Sequence, residues 1–171
     1  MALIRRFREG DSTAVVDVVR RVFEEYGFAW EPHGYCEDLG RIGEVYQAFW
    51  VVENDGIVGC VGFTEHPRIP GKAGISTIVD GVERAAASDC ELHRLYVLPE
   101  ARGQGLGRKL TQTVLDEARR RGRSALELWS DKKLTHAHAL YEALGARKIG
   151  ERICPGDPDL SPEWGFLLPI D

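Results

Sequence analysis

The chain lacks any run of 18 apolar residues, and it does not open on a charged n-region followed by an apolar h-region. The first absence argues against a membrane-spanning helix and the second against a secretory leader, so a cytoplasmic protein with no membrane partner is expected. Its four cysteines, Cys36, Cys60, Cys90 and Cys154, show no C-x-x-C spacing, which argues against a structural zinc site or a disulfide framework. Thr135-His136-Ala137-His138 has no carboxylate or thiolate beside it to complete a metal set; no metal is expected, and both histidines read as helix-surface residues. No repeat, low-complexity tract or linker sets off a second domain, and 171 residues suit one domain spanning 1–171. A formal net charge of -5 disfavours non-specific nucleic-acid binding. With 43% apolar and 29% charged residues, the composition is that of a folded protein rather than a disordered one.

What the chain does have is concentrated in residues 91–121. A strand leads into a short turn containing Arg102, Gly103, Gln104, Gly105, Leu106 and Gly107, and then into a long amphipathic helix. A glycine-rich turn at a helix start can bring backbone N–H groups close to an anion. The first-turn N–H groups lack intrahelical partners, and the helix dipole favours negative charge there. The alternative is a tight strand-to-helix connection without a ligand. No Gly-Lys-Ser/Thr ending is present, so this is not a P-loop. Arg108 stands where a dinucleotide fingerprint needs its third glycine, and no acidic residue follows at the right place for a ribose. Arg102, Arg108 and Lys109 suggest a phosphate-rich ligand.

Arg102-Gly103-Gln104-Gly105-Leu106-Gly107 resembles the Q/R-x-x-G-x-G/A pyrophosphate-binding motif of the GNAT superfamily of acyl-CoA-dependent N-acyltransferases. Leu95-Tyr96-Val97-Leu98-Pro99-Glu100 looks like that family's central strand and its exit. Ala139-Leu140-Tyr141-Glu142-Ala143-Leu144-Gly145-Ala146 resembles its second motif. The two motifs stand in family order and at family spacing, and the resemblance covers roughly residues 2 to 153. It implies an α/β fold with a mixed, mainly antiparallel central sheet flanked by helices and a splayed central strand. The donor it implies is acetyl-CoA, held by Leu95, Tyr96, Val97, Arg102, Gly103, Gln104, Gly105, Leu106, Gly107 and Arg108. Near Tyr96 and Val97, backbone amides would polarise the thioester carbonyl and pair with the pantetheine. Two departures stand out: Leu134 replaces an Asn common in the family, and Ala146 replaces the usual Phe.

The implied reaction is acetyl transfer to a primary amine of a small molecule by direct attack in a ternary complex. The alternatives are transfer to a protein amine and a noncatalytic acyl-CoA-binding module. No Ser-His-Asp order or activated cysteine supports a covalent enzyme intermediate. Tyr141, at the family's tyrosine position, is the expected general acid, since a phenol is protonated at neutral pH. Glu91, at the start of the central strand, is the expected base, with His93 as its competitor and water or another group such as Glu37 as the further alternative. Asp131 either binds the acceptor ammonium or caps the next helix. The aromatic and acidic segment 28–43 either lines the acceptor pocket, through Tyr35, Glu37 and Asp38, or packs as an ordinary loop. The oligomeric state stays open between a monomer and a homodimer.

Along the chain, residues 2–8 read as a strand, and a helix follows, capped by Asp11 or Ser12 and stopped by Gly27. Its apolar stripe is Val15, Val18, Val19, Val22, Phe23 and Tyr26. A short helix is expected between Cys36 and Gln47. Residues 49–63 form a hairpin around Asn54-Asp55-Gly56. Residues 75–82 read as one weak strand, with 83–89 continuing or connecting it. On a regular pleat Glu91, His93, Leu95 and Val97 share one face of the 90–98 strand. Leu106, Leu110, Val114, Leu115 and Ala118 form the core stripe of the helix ending at Gly122. A strand at 124–129, a helix at 134–144 capped by Gly145, and strands at 146–153 and 164–170 complete the pattern.

Overall fold

The computed structural model describes residues 1–171. They form two compact units, one of Met1–Thr64 with His93–Val114, the other of Glu65–Leu92 with Leu115–Asp171. In the first, β1 (Leu3–Arg6) pairs antiparallel with β2 (Ala48–Glu53), and β2 pairs antiparallel with β3 (Ile57–Glu65). The β2–β3 hairpin turns where expected, with Asp55 and Gly56 at φ 52 and 121. Helix α1 (Ser12–Tyr26) buries Val15, Val18, Val19, Val22 and Phe23, the stripe read from the sequence. Gly27, at φ 72, ends it. The expected side-chain cap is absent. The Asp11 carboxylate accepts instead from the Arg5 guanidinium at 2.8 and 2.9 Å and from the Arg8 amide at 2.8 Å, while Ser12 Oγ donates to the Glu9 carbonyl. A charged, two-pronged donor outcompetes a helix amide for a carboxylate. The short helix expected before β2 is present as a 3₁₀ turn (Glu37–Gly40) and α2 (Ile42–Val45).

In the second unit, β9 (Pro162–Pro169) pairs antiparallel with both β7 (Ala125–Asp131) and β8 (Arg147–Ile153). Helix α4 (Thr135–Ala143) joins β7 to β8. Gly145, at φ 98, closes α4: its amide donates to the Glu142 carbonyl, and the Ala146 amide reaches the Tyr141 carbonyl at 2.9 Å. Strand β6 (Cys90–Val97) and helix α3 (Leu106–Arg120) each run through both units. β6 contributes Cys90, Glu91 and Leu92 to a parallel ladder with β7. The seven strands follow the order β1-β2-β3-β6-β7-β9-β8. All five residues of the α3 stripe are buried.

Two local readings change. Residues 75–85 are a second hairpin, β4 (Ser76–Val79) and β5 (Val82–Ala85), rather than one weak strand. Asp80 and Gly81, at φ 49 and 80, reverse the chain. This Asp-Gly pair carries the same turn signal as Asp55-Gly56, masked by strands of only four residues each. His138 is buried rather than on the helix surface. Its ring lies against Phe166, and its Nε2 meets Ser130 Oγ at 3.2 Å.

The regular alternation expected for β6 breaks at Arg94, which sits at φ 52 inside the strand. A non-glycine residue held there costs on the order of 1–3 kcal/mol unless its surroundings hold it. Here the side chain is 9% exposed, and its guanidinium grips Asp38 through two nitrogens, Nε at 3.1 Å and Nη2 at 2.7 Å. Nη2 also donates to the Tyr35 carbonyl at 2.9 Å, and the group lies over the Tyr35 ring. Tyr46 donates its hydroxyl to the same Asp38 carboxylate. The kinked strand is thus pinned to residues 35–38 of the segment before β2. Removing one partner of such a pair leaves an uncompensated charge indoors. Asp38→Ala is therefore expected to cost about 3–5 kcal/mol of stability, measured by urea unfolding; a loss within about 0.5 kcal/mol, as at an ordinary surface site, would contradict the latch.

Candidate active site

The turn from β6 into α3 has the form of an anion cradle. Gly103 and Gly105 take φ 78 and 72, and a Cβ at either would meet nothing within 4 Å. The first backbone bond of α3 runs from the Lys109 amide to the Gly105 carbonyl, at 3.0 Å, and the first-turn amides of a helix have no intrahelical partner. They stand at the positive end of a 15-residue helix. Arg108 is exposed in the first turn, while Leu106 is buried and fixes the helix start. Open space, converging donors and a nearby cation are what a pyrophosphate needs, so the residues present fit the phosphates of an acyl-CoA.

Arg102 behaves differently from its neighbours. Its Nε donates to the Val97 carbonyl at 2.9 Å, and its two terminal nitrogens hold both oxygens of Glu25 at 2.7 Å. The guanidinium braces the end of β6 against α1 and holds the Glu25 carboxyl below its ordinary value. Tyr96 packs its ring edge-on to Phe23. A Cβ on Gly59 would lie 3.0 Å from the Tyr96 carbonyl, so the glycine lets β3 approach the end of β6 closely.

At the other end of β6, Glu91 belongs to a charged cluster in the second unit. Its Oε2 lies 3.5 Å from Arg84 Nη2. Arg84 Nε in turn donates to Glu127 Oε1 at 2.6 Å. Glu127 has no exposed surface, and its other oxygen accepts from the Ala85 amide at 2.6 Å and Ser88 Oγ at 3.1 Å. Burial, and then repulsion from Glu127, push the Glu91 carboxyl up to about 7, with Arg84, Arg152 and His66 acting against them. Glu127 thus accepts from an amide, a hydroxyl and a guanidinium, and Glu91 shares that guanidinium at longer range.

The remaining candidates have these surroundings. His93 Nε2 meets Thr64 Oγ1 at 2.7 Å, and its ring faces Tyr46. Tyr141 is 4% exposed and packs edge-on to Phe166 at 5.6 Å between centroids. Asp131 closes the turn before α4, its Oδ1 accepting from the Lys133 amide at 2.8 Å. Glu37 is exposed and pairs with Arg41 at 3.3 Å. Tyr35 supports Arg94 through its carbonyl and ring. Sequence reasoning missed Arg84, Glu127 and Arg94. The first two lie on short or apolar strands with no motif around them, and Arg94 was hidden by the assumption of a regular pleat.

The model of the acetyltransferase (GNAT) family matches residues 15–146. Over 166 residues the chain is 32% identical to the uncharacterized N-acetyltransferase YjgM of Escherichia coli, covering 92% of this chain and 89% of that one. It spans about half the length of another relative, the "Probable N-acetyltransferase camello" of Xenopus laevis, with 34% identity over 72% of this chain and 53% of that one. The solved yncA protein of Salmonella typhimurium, with its cofactor acetyl-CoA, aligns with a TM-score of 0.70 at 21% identity, covering 100% of this chain and 95% of that one. That likeness is one of fold. With the cradle and the two motifs in their order, the family match identifies the chain as a member of the acetyltransferase (GNAT) family, an acetyl-CoA-dependent N-acetyltransferase.

Proposed function

We propose that the protein transfers the acetyl group of acetyl-CoA to the primary amine of a small molecule, by direct attack within a ternary complex. The observation that carries this reading is Glu91, held at the start of β6 beside Glu127 in the ladder with its carboxylate facing Arg84, where burial and Glu127 push it up to about 7. A base with that proton affinity removes a proton from an ammonium near neutral pH without being permanently ionised. Glu91 is only 15% exposed, which suits an amine on a slim carrier. The neutral amine attacks the thioester carbonyl, the new C–N bond forms and the C–S bond breaks. Glu91 keeps the proton taken from the ammonium, and the proton the nitrogen sheds after attack balances the one the departing thiolate takes up to become the CoA thiol.

Amides at Tyr96 and Val97 serve as donors to the carbonyl oxygen, and Tyr141 as the acid for the thiolate. The turn amides of Gly103, Gln104, Gly105, Leu106, Gly107 and Arg108 hold the pyrophosphate, with Arg102 keeping the strand end in place. An acyl-cysteine relay finds little support in the thiols. Burial pushes Cys60 up to about 12 and raises Cys36 and Cys90 as well, which keeps all three protonated and poorly nucleophilic. Four unbridged cysteines also suit a reducing, cytoplasmic setting.

A panel of small primary amines and N-terminal peptides, assayed with acetyl-CoA for free thiol release, tests the acceptor class; turnover of peptides alone would overturn the small-molecule reading. Because the base form of Glu91 exists above about pH 7, kcat/KM is expected to rise with pH through that region. Glu91→Gln should remove this limb and lower the rate by about 10²–10⁴-fold; an unchanged pH profile would exclude Glu91 as the base. Tyr141→Phe should lower kcat by about tenfold or more while the Kd for acetyl-CoA stays unchanged. Equal kcat in the two proteins would remove Tyr141 from the chemistry.

A further inference from the structure

The cation beside Glu91 comes from the β4–β5 hairpin, which lies outside both motifs. Arg84 uses two different nitrogens on two carboxylates: Nε on Glu127 Oε1 at 2.6 Å and Nη2 on Glu91 Oε2 at 3.5 Å. Glu91 and Glu127 are direct partners in the parallel β6–β7 ladder. Ladder partners sit about 4.8 Å apart and point to the same face, so their charges would repel strongly in a low-dielectric interior. Glu127 cannot move away, because the Ala85 amide, Ser88 Oγ and Arg84 all hold it.

The hairpin that supplies Arg84 also supplies the Ala85 amide, so Glu127 fixes the hairpin and the hairpin aims the guanidinium. Other charged groups act on Glu91 from the elements around it. Arg152 on β8 and His66 after β3 favour its ionised form, and Glu163 on β9, itself bound to Arg152 at 2.9 Å, interacts with it as a like charge. Arg152 is committed elsewhere, to Glu163, the Glu83 carbonyl and the face of Trp129.

We propose that Arg84 and Glu127 are positioning residues for acetyl transfer: Glu127 anchors the hairpin's guanidinium between two carboxylates, and that guanidinium steers Glu91. The proposal rests on Glu91 being the base. Its consequence is a pair of effects of opposite sign. Loss of the Arg84 charge makes Glu91 harder to ionise, and loss of the Glu127 charge makes it easier.

The test is the pH dependence of kcat/KM in the full-length protein for wild type, Arg84→Gln, Arg84→Lys, Glu127→Gln and Glu91→Gln, with one amine and acetyl-CoA. The acid limb is expected to move up by about one pH unit or more in Arg84→Gln and down by about one unit or more in Glu127→Gln. Arg84→Lys, which keeps the cation, should hold the limb near its wild-type position even if Arg84→Gln fails to fold. A purely structural role would lower the plateau in these variants and leave the limb in place, and that result overturns the proposal. Glu91→Gln separates the two claims. If it loses the limb while the limbs of the Arg84 and Glu127 variants stay fixed, the proposal alone falls. If the limb survives in Glu91→Gln, the assignment of the base falls and this inference with it.

Discussion

Burying a carboxylate without donors is prohibitively expensive, and the second unit is arranged around that constraint. Glu127 has no contact with solvent, so its charge has to be met by protein groups. The β4–β5 hairpin meets it with a backbone amide, a serine hydroxyl just beyond the hairpin and a guanidinium. Once that cation is fixed, the neighbouring Glu91 experiences both an attraction and a repulsion, and burial decides between them in favour of the protonated form. The satisfaction of one buried acid therefore sets the electrostatic surroundings of another. The hairpin forms a two-stranded sheet of its own and carries Arg84 to both carboxylates.

The first unit solves an analogous problem differently. Arg94 occupies a backbone region that disfavours side chains, and its guanidinium is nearly enclosed. Asp38, the Tyr35 carbonyl and the Tyr35 ring meet that charge. The strain is local to β6, just before the residues assigned to the thioester, and a kink there changes which backbone groups remain in the ladder. Beyond it, Arg102 ties the last carbonyl of the strand to α1 through Glu25. Two ion pairs thus fix the strand end on either side of Leu95, Tyr96 and Val97. The glycine turn that follows leads into the positive end of α3, where first-turn amides have no intrahelical partner.

Much of this was legible in the sequence wherever a residue type has one dominant physical use. The stripes of α1 and α3, the Asp55-Gly56 reversal and the glycine turn before α3 read correctly because periodicity and backbone freedom are local properties. The two motifs carried the family. What failed to show was long-range. His138 is buried because Ser130 and Phe166 come to it from other elements, which no window around Thr135 contains. Arg94 and Asp38 are 56 residues apart in sequence, and Arg84 and Glu127 are 43 apart. Glu91 was singled out by its place before the motif, but the neighbours that raise its proton affinity were not legible, since they come from other strands. The second hairpin was missed although its Asp80-Gly81 turn carried the signal, because its strands are too short and too mixed to alternate clearly.

The central claim is that Glu91 exchanges its proton near neutral pH. Carbon-13 NMR titration of the glutamate side-chain carboxyls in the free protein, with the Glu91 resonance identified by its absence from Glu91→Gln, measures this directly. The account predicts that the Glu91 carboxyl titrates at about 7. A midpoint for Glu91 near the ordinary glutamate value of about 4.3 would contradict it.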